Sequence, residues 1–283
     1  MSERTILITG VTGRQGGAVA RALLNQGFRL RGLTRKPESD AARAAALLGI
    51  DIVQGDFDNE SSLAAPLAGA WGVFSVQNTW EAGVEREEVQ GNRLARAARE
   101  AGVQHFVYTS VGSANRHTGI PHFENKWRIE ETVRWLQFPS HVILRPVFFM
   151  ENLLTPWFLD GDTLAMAITP STRLQMVAVE DIGRFGARAF VDAVRFNRRE
   201  VELAGDSLTV PDAVSVLGRA LNRPLQFAQL DIETVRANSG DFATMLEWFD
   251  RVGYNADIPG LARECGFTPL TFEAWARKQA SGN

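Results

Sequence analysis

Between Thr5 and Gly17 the chain reads Thr5-Ile6-Leu7-Ile8-Thr9-Gly10-Val11-Thr12-Gly13-Arg14-Gln15-Gly16-Gly17, an apolar run that breaks into a glycine-spaced turn. The helical stretch Ala18-Val19-Ala20-Arg21-Ala22-Leu23-Leu24 follows directly. A strand, then glycines, then a helix start is an arrangement that binds a diphosphate, because the free N–H groups and dipole of the helix face the phosphates. Gly10 permits the tight turn, Gly13 lets a ligand approach the backbone, and Gly16 lets the helix pack close to the strand. Thr12, Arg14 and Gln15 complete the expected cofactor-binding turn. Its spacing is Gly-x-x-Gly-x-x-Gly, not the Gly-x-Gly-x-x-Gly of standard dehydrogenases. A second cue concerns which dinucleotide. The strand Phe28-Arg29-Leu30-Arg31-Gly32-Leu33-Thr34 ends in Arg35-Lys36-Pro37, with no acid before Glu38. NAD sites place Asp or Glu in this region to bind the ribose 2′-hydroxyl. Two cations suit a 2′-phosphate instead, Arg35 bidentately, and Arg14 adds another positive group. The expected cofactor is NADP(H); the alternative is a solvated basic turn after an edge strand.

Alternating strands and helices are needed to hold such a turn. Asp40 to Leu48 reads as an Ala-rich helix, Ile50 to Val53 as a third strand closing in Gln54-Gly55-Asp56-Phe57, and Ser61 to Leu67 as a short helix. Gly72 to Val76 is a fourth strand, Glu85 to Ala101 a long amphipathic helix, and His105 to Ser110 a fifth strand. Phe123 to Leu136 is a charged helix and Val142 to Pro146 a sixth strand. This alternation predicts an α/β fold with a doubly wound parallel Rossmann sheet. Near-continuous apolar strands match a sheet covered on both faces. Regularity fails after Pro146. Strands at Thr163 to Thr169, Leu174 to Val177, Val201 to Leu203 and Leu225 to Gln229 mix with helices at Val179 to Asp192, Val210 to Leu221 and Gly240 to Val252. They predict a smaller α+β C-terminal cap, so that residues 1–150 bind the dinucleotide and 151–283 form an interwoven cap for a substrate or partner.

Composition narrows the classes. The length of 283 residues suits one large α/β domain with an appendage. A formal net charge of -3 and scattered basic residues do not suit a polyanion partner, so no direct nucleic-acid binding is expected. One cysteine, Cys265, precludes an internal disulfide framework. The four histidines, His105, His117, His122 and His141, lack metal-binding spacing, and no metal is expected. A nucleophile-elbow motif is missing. Met1-Ser2-Glu3-Arg4 leads straight into a short strand and no apolar run is long enough to span a bilayer, so a cytoplasmic protein is expected.

Further blocks carry a resemblance. They are Gln54-Gly55-Asp56, Tyr108-Thr109-Ser110, His122-Phe123-Glu124-Asn125-Lys126, Arg145-Pro146-Val147-Phe148-Phe149-Met150-Glu151-Asn152-Leu153, Val179-Glu180-Asp181-Ile182-Gly183 and Phe272-Glu273-Ala274-Trp275. With the glycine turn and Thr34-Arg35-Lys36-Pro37, the chain resembles, over nearly its whole length, the NmrA-like family of atypical short-chain dehydrogenase/reductases. The resemblance implies an NADP(H)-binding protein. Family members include redox-sensing regulators with little activity and reductases of quinones or related carbonyl and ether substrates.

One departure stands out. Standard short-chain reductases use Tyr-x-x-x-Lys, in which tyrosine donates a proton and lysine lowers its pKa. The two tyrosines here, Tyr108 and Tyr254, have Gly112 and Ile258 four residues on. The position four before Lys126 is His122. In a helix the two share a face, one turn apart. By resemblance Lys126 contacts the nicotinamide ribose and can serve as general acid, as in isoflavone-reductase-like enzymes. Imidazole donates protons near neutral pH, which makes His122 a second catalytic candidate. The alternative is that Lys126 only anchors the cofactor and His122 is a cap or surface residue.

The remaining candidates surround these. Ser110 sits where standard reductases keep a substrate-polarising serine, or simply bonds its own turn. Asp56 and Phe57 frame the adenine, or are a turn acid and a core aromatic. Gln77 and Asn78 lie at the carboxyl end of the sheet, where ligands bind, with Trp80 nearby. Phe148, Phe149 and Asn152 form a wall against the nicotinamide, with one of the two aromatics facing the ligand. Two functions follow as expectations: an NADPH-dependent reductase of a quinone- or enone-like molecule, or a non-catalytic NADP(H)-sensing regulator acting through a protein partner.

Overall fold

A computed structural model describes residues 4–281. Met1 to Glu3, where the expected absence of a leader was read, lie outside the described residues. The elements in chain order are β1 (Arg4–Thr9), α1 (Arg14–Leu23), β2 (Phe28–Thr34), α2 (Asp40–Leu47), β3 (Asp51–Gln54), α3 (Ala64–Leu67), β4 (Gly72–Ser75), α4 (Thr79–Ala82), α5 (Val84–Glu100), β5 (His105–Thr109), α6 (Pro121–Trp135) and β6 (Ser140–Pro146). There follow β7 (Phe148–Phe149), β8 (Leu159–Asp160), β9 (Thr163–Met166), β10 (Arg173–Val177), α7 (Val179–Val191), α8 (Ala193–Phe196), β11 (Arg199–Leu203), β12 (Asp206–Thr209), α9 (Val210–Ala220), β13 (Gln226–Gln229), α10 (Ile232–Asn238), α11 (Gly240–Arg251), α12 (Ile258–Cys265) and α13 (Phe272–Ala280).

The main sheet has the order β11-β6-β5-β4-β1-β2-β3. Strands β1 to β6 pair in parallel. Thr9 lies opposite Leu33, Ile8 opposite Phe74, and Thr34 opposite Gln54. This register brings the carboxyl ends of β1, β2, β3 and β4 to one edge. The strand order reverses at β1, between β2 and β4, the place where such sheets bind ligands. The sheet belongs to a doubly wound α/β architecture, and small sheets β12-β10-β7 and β13-β9-β8 follow in the C-terminal part.

The chain divides into two compact units. The first takes the residues up to Ser110, Asn125–Arg145 and Ile182–Val201. Its core includes Leu7, Val73, Leu94, Phe106, Tyr108, Ile129, Phe138 and Ile143. The second takes Val111–Glu124, Pro146–Asp181 and the residues from Glu202. Its core gathers Phe123, Phe148, Met150, Leu164, Met176, Leu217, Trp248, Phe249 and Trp275.

Several elements differ from the sequence expectation. A single cut near residue 150 does not describe these units, because Val111–Glu124 joins the second and Ile182–Val201 returns to the first. The strand around Val201, expected in the cap, is β11 on the main sheet beside β6. Its pattern, with only Val201 and Leu203 buried, is that of an edge strand and says nothing locally about which sheet it joins. The short helix α4 was not expected. It forms because Asn78 caps it, its Oδ1 accepting from Trp80 N at 3.2 Å.

Candidate cofactor and active site

The glycine turn leaves β1 at Thr9. Gly10 adopts φ +58°, a left-handed conformation that favours glycine. Its carbonyl accepts from Gly13 N at 2.8 Å, closing the turn. A Cβ on Gly16 would stand 2.4 Å from the carbonyl oxygens of both Thr9 and Gly10, so only glycine lets α1 lie this close to β1. A Cβ on Gly13 would stand 3.3 Å from Gly10 O, so the protein's own packing nearly tolerates a side chain there. Gly13 is the N-cap of α1 and offers no side-chain acceptor, and the first turn of α1 holds no acid. The N–H groups and positive dipole end of α1 thus receive neither a capping side chain nor a first-turn carboxylate, an arrangement that suits an anion. Thr12 and Arg14 are exposed beside it. Gln15 Oε1 accepts from Thr109 Oγ1 at 2.7 Å, tying the turn to the end of β5.

At the end of β2, Arg35 and Lys36 are exposed on the same edge of the sheet. The Arg35 guanidinium is paired with Glu81 of α4. That hydrogen bond, opposed by slight desolvation and helped by Asp56 and Asp58, holds its pKa above the ordinary value. Lys36 N donates to Thr34 Oγ1 at 3.2 Å. Asp56 and Phe57 are half-buried. Asp56 Oδ1 accepts from Asp58 N at 2.9 Å, and Phe57 packs against the core of the first unit.

The ends of β4 and β5 expose two unmet polar needs. Gln77 is 5% exposed; its Nε2 donates to Ser75 Oγ at 3.1 Å, while Oε1 has no partner among the described residues. Ser110 is 4% exposed and its Oγ likewise has none, although its N–H donates to Leu144 O. Buried polar atoms are normally hydrogen-bonded, so both mark places where a polar ligand would be accommodated. Together with the uncapped start of α1, they fit a dinucleotide. Asn78 is exposed and serves as the cap of α4.

Lys126 is not an exposed anchor. Its Nζ donates to Glu87 Oε1 at 2.5 Å, and Glu87, on α5, is fully buried. Glu87 Oε2 also accepts from Asn125 Nδ2 at 2.9 Å and from the Thr79 hydroxyl. Burial pushes the Glu87 carboxyl up, but Lys126 and these hydrogen bonds outweigh it and hold it below the usual carboxylate range. Glu87 was missed in the sequence because Val84-Glu85-Arg86-Glu87-Glu88 reads as a solvated helix start. Tyr108 is fully buried in the first unit, and burial, aided by Glu87 and Glu130, pushes its phenol well above its usual value. Arg145, which opens one family block, is structural: buried, it donates to Glu130 Oε1 and Oε2 at 2.9 and 2.6 Å and to Glu200 at 2.6 Å.

In the second unit His122 is buried, not a surface residue. Its Nδ1 lies 2.5 Å from Asp241 Oδ2, and its backbone N–H donates to Asp241 Oδ1 at 3.1 Å. Asp241, in the first turn of α11, thus holds both the ring and the start of α6. Phe148, expected at the nicotinamide wall, packs edge-on against Phe158 and Phe249 in the core. The half-buried Phe149 is the member of the pair that keeps accessible surface. Side chains alternate along β7, so only one of the two can turn inward. Asn152 is half-buried, and its carbonyl accepts from Thr155. Tyr254 is packed on Phe123, Trp248 and Phe249, its phenol pushed well up by burial. The remaining family blocks are staples: Glu151 Oε1 accepts from Val179 N and Trp275 Nε1, and Asp181 Oδ2 from Leu270 N.

Comparison with known proteins adds relatives. A family model described as the NmrA-like family matches residues 2–273. An NmrA-like family domain-containing oxidoreductase of Aspergillus flavus is 35% identical, over 95% of this chain and 84% of its own. An NADPH-dependent quinone oxidoreductase of Escherichia coli, solved with NADPH, is 20% identical with a TM-score of 0.81, over 97% of this chain and 99% of that one. NmrA, a negative transcriptional regulator solved with NAD, is 21% identical with a TM-score of 0.73, over 100% of this chain and 92% of that one. With a family model matched across residues 2–273 and a relative 35% identical over most of both lengths, this chain belongs to the NmrA-like family.

Proposed function

We propose that the chain is an NADP(H)-dependent reductase of a small, flat electrophile of quinone or enone type. The carrying observation is the carboxyl edge of the main sheet, which presents the start of α1, with its glycine N-cap Gly13 and no capping side chain, beside the cationic end of β2. A nicotinamide dinucleotide is the broader expectation, supported by the NADPH bound to the Escherichia coli reductase and the NAD bound to NmrA. The 2′-phosphate is the finer one, and rests on Arg35, Lys36 and Arg14. The oxidoreductase named in Aspergillus flavus supports the reaction class.

When bound, the reduced nicotinamide supplies hydride. The chain's residues do the rest. Gly10, Thr12, Gly13, Gln15 and Gly16 seat the diphosphate, Asp56 and Phe57 the adenine. Gln77, Asn78 and Ser110 of the first unit offer polar contacts toward the nicotinamide. Lys126, fixed by Glu87, contacts the ribose and holds the proton for delivery; His122, fixed by Asp241, is the second donor. A quinone acceptor needs little acid catalysis, which suits a site with no tyrosine in that role.

A second reading, a non-catalytic NADP(H) sensor working through a protein partner, is favoured by His122 standing where the tyrosine of Tyr-x-x-x-Lys would be and by the full burial of Tyr108. A steady-state scan of NADPH oxidation against quinones, enones and carbonyls separates the two. Rapid turnover with any acceptor supports the reductase; NADPH binding by calorimetry with silence across the panel supports the sensor.

A further inference from the structure

The acid that NAD sites carry at the end of the second strand is missing from the sequence there, yet the structure returns one from elsewhere. Glu81, 46 residues on in the chain, brings its carboxylate onto the Arg35 guanidinium. Both side chains are 54% exposed, so neither is sealed in the core. Glu81 rides on α4, a single turn between the Asn78 cap and Gly83, whose φ is +85°. Thr79 of the same turn binds the buried Glu87, which anchors one side of α4 while Glu81 reaches out on the other.

Resting on the dinucleotide reading above, we infer that Glu81 sets the cofactor preference by competing with the 2′-phosphate of NADP(H) for Arg35. A guanidinium offers five N–H donors and Glu81 takes one nitrogen of Arg35, Nη2, so a phosphate arriving there shares the cation with this carboxylate or displaces it. Whether it shares Arg35 with Glu81 or displaces it, a 2′-phosphate there lies near a second anion, with Asp56 and Asp58 also within electrostatic range of Arg35. A 2′-hydroxyl carries no charge and meets no such penalty. Glu81 therefore narrows the preference for NADP(H) over NAD(H) that Arg35 alone would give.

The test is calorimetric titration of wild type, Glu81→Gln, Arg35→Ala and the double variant with NADPH, NADH and 2′,5′-ADP. Exposed ion pairs are weak, so Glu81→Gln is expected to tighten NADPH and 2′,5′-ADP by about two- to tenfold. NADH should stay within about twofold, and the gain should vanish in the Arg35→Ala background, as a coupled pair requires. Equal tightening of NADH, no change with any ligand, or the same gain without Arg35 would each overturn the inference while leaving the dinucleotide site in place. Wild-type protein that binds none of the three overturns the dinucleotide reading, and this inference with it.

Discussion

Lys126 and Glu87 cannot be changed one at a time without consequence. Lys126→Met keeps the apolar stem but leaves a buried carboxylate without its cation. Breaking a buried pair from one side costs about 3–5 kcal/mol; the donors Thr79 and Asn125 keep this variant toward the low end. In wild type the Glu87 pKa is depressed, so its contribution is full above the unfolded value and is lost as pH falls through the folded one. Without Lys126, desolvation dominates and the pKa rises, so the deficit is expected to be largest at neutral pH, to shrink as pH falls through the raised value toward about 4.3, and to shrink further below that as wild type loses its own contribution. Urea unfolding of wild type, Lys126→Met and Lys126→Met/Glu87→Gln at pH 7 and pH 4 checks this; the double variant should recover most of the loss at pH 7. NADPH affinity and kcat on the best acceptor, measured in the stable double variant, then report the lysine's role alone. A fall in kcat beyond the fall in affinity is expected. Arg35→Ala is expected to weaken NADPH by about 1.5–3 kcal/mol and leave NADH almost unchanged. Unchanged NADPH affinity in Arg35→Ala would remove the basis for a phosphate contact.

At the scale of elements, two glycines at the start of α1, the N-cap Gly13 and Gly16 within the helix, have opposite duties. Gly16 serves the fold, since its Cβ would collide with the carbonyls of Thr9 and Gly10. Gly16→Ala must push α1 off β1, and a loss of about 1–3 kcal/mol or more is expected in thermal unfolding. Gly13 faces open space except for one contact at 3.3 Å. Gly13→Val is expected to keep near wild-type stability while abolishing NADPH binding, because the branch fills the room a diphosphate needs. Normal NADPH binding by a folded Gly13→Val would place the diphosphate elsewhere. Helix α6 shows a comparable division of labour: its first turn is held by Asp241 and its second by Glu87. Asp241→Asn should loosen the ring of His122; a pH–rate profile that matches wild type in both Asp241→Asn and His122→Phe would reduce His122 to a structural residue.

For the molecule as a whole, acid stability turns on a histidine in the middle of the main sheet. His105 of β5 is fully buried, stacks on Trp71 at 5.5 Å and meets Phe190 edge-on. Burial, reinforced by His141 and Arg4 against a backbone hydrogen bond, pushes its pKa down to about 4. The unfolded chain binds a proton at this residue below about 6.5, and the folded chain does not until about 4. Stability should therefore fall as pH drops through that window, by on the order of 3 kcal/mol from this residue, and level off below it. His141, also pushed down by burial, adds in the same direction. His105→Phe keeps the aromatic stack and removes the titration, so its denaturant midpoint should vary less between pH 6.5 and 4 than that of wild type. An unchanged pH slope would assign the acid sensitivity to other groups.

The alternating α/β architecture, the glycine turn, the basic end of β2 and the lysine of α6 are legible in the residues alone. These are written in short-range terms: apolar runs of strand length, glycines where a helix meets a strand, and cations within a few residues of a strand end. Tertiary structure decided which carboxylate holds each cation or ring. Glu87 comes to Lys126 from 39 residues away, Glu81 to Arg35 from 46, and Asp241 to His122 from 119. Nothing local distinguishes these acids from their solvated neighbours. It also decided that β11 joins the main sheet and that Phe148 turns inward while Phe149 does not. Sheet membership and facing depend on which partner surface a segment meets, and that is a property of the folded chain, not of any window along it.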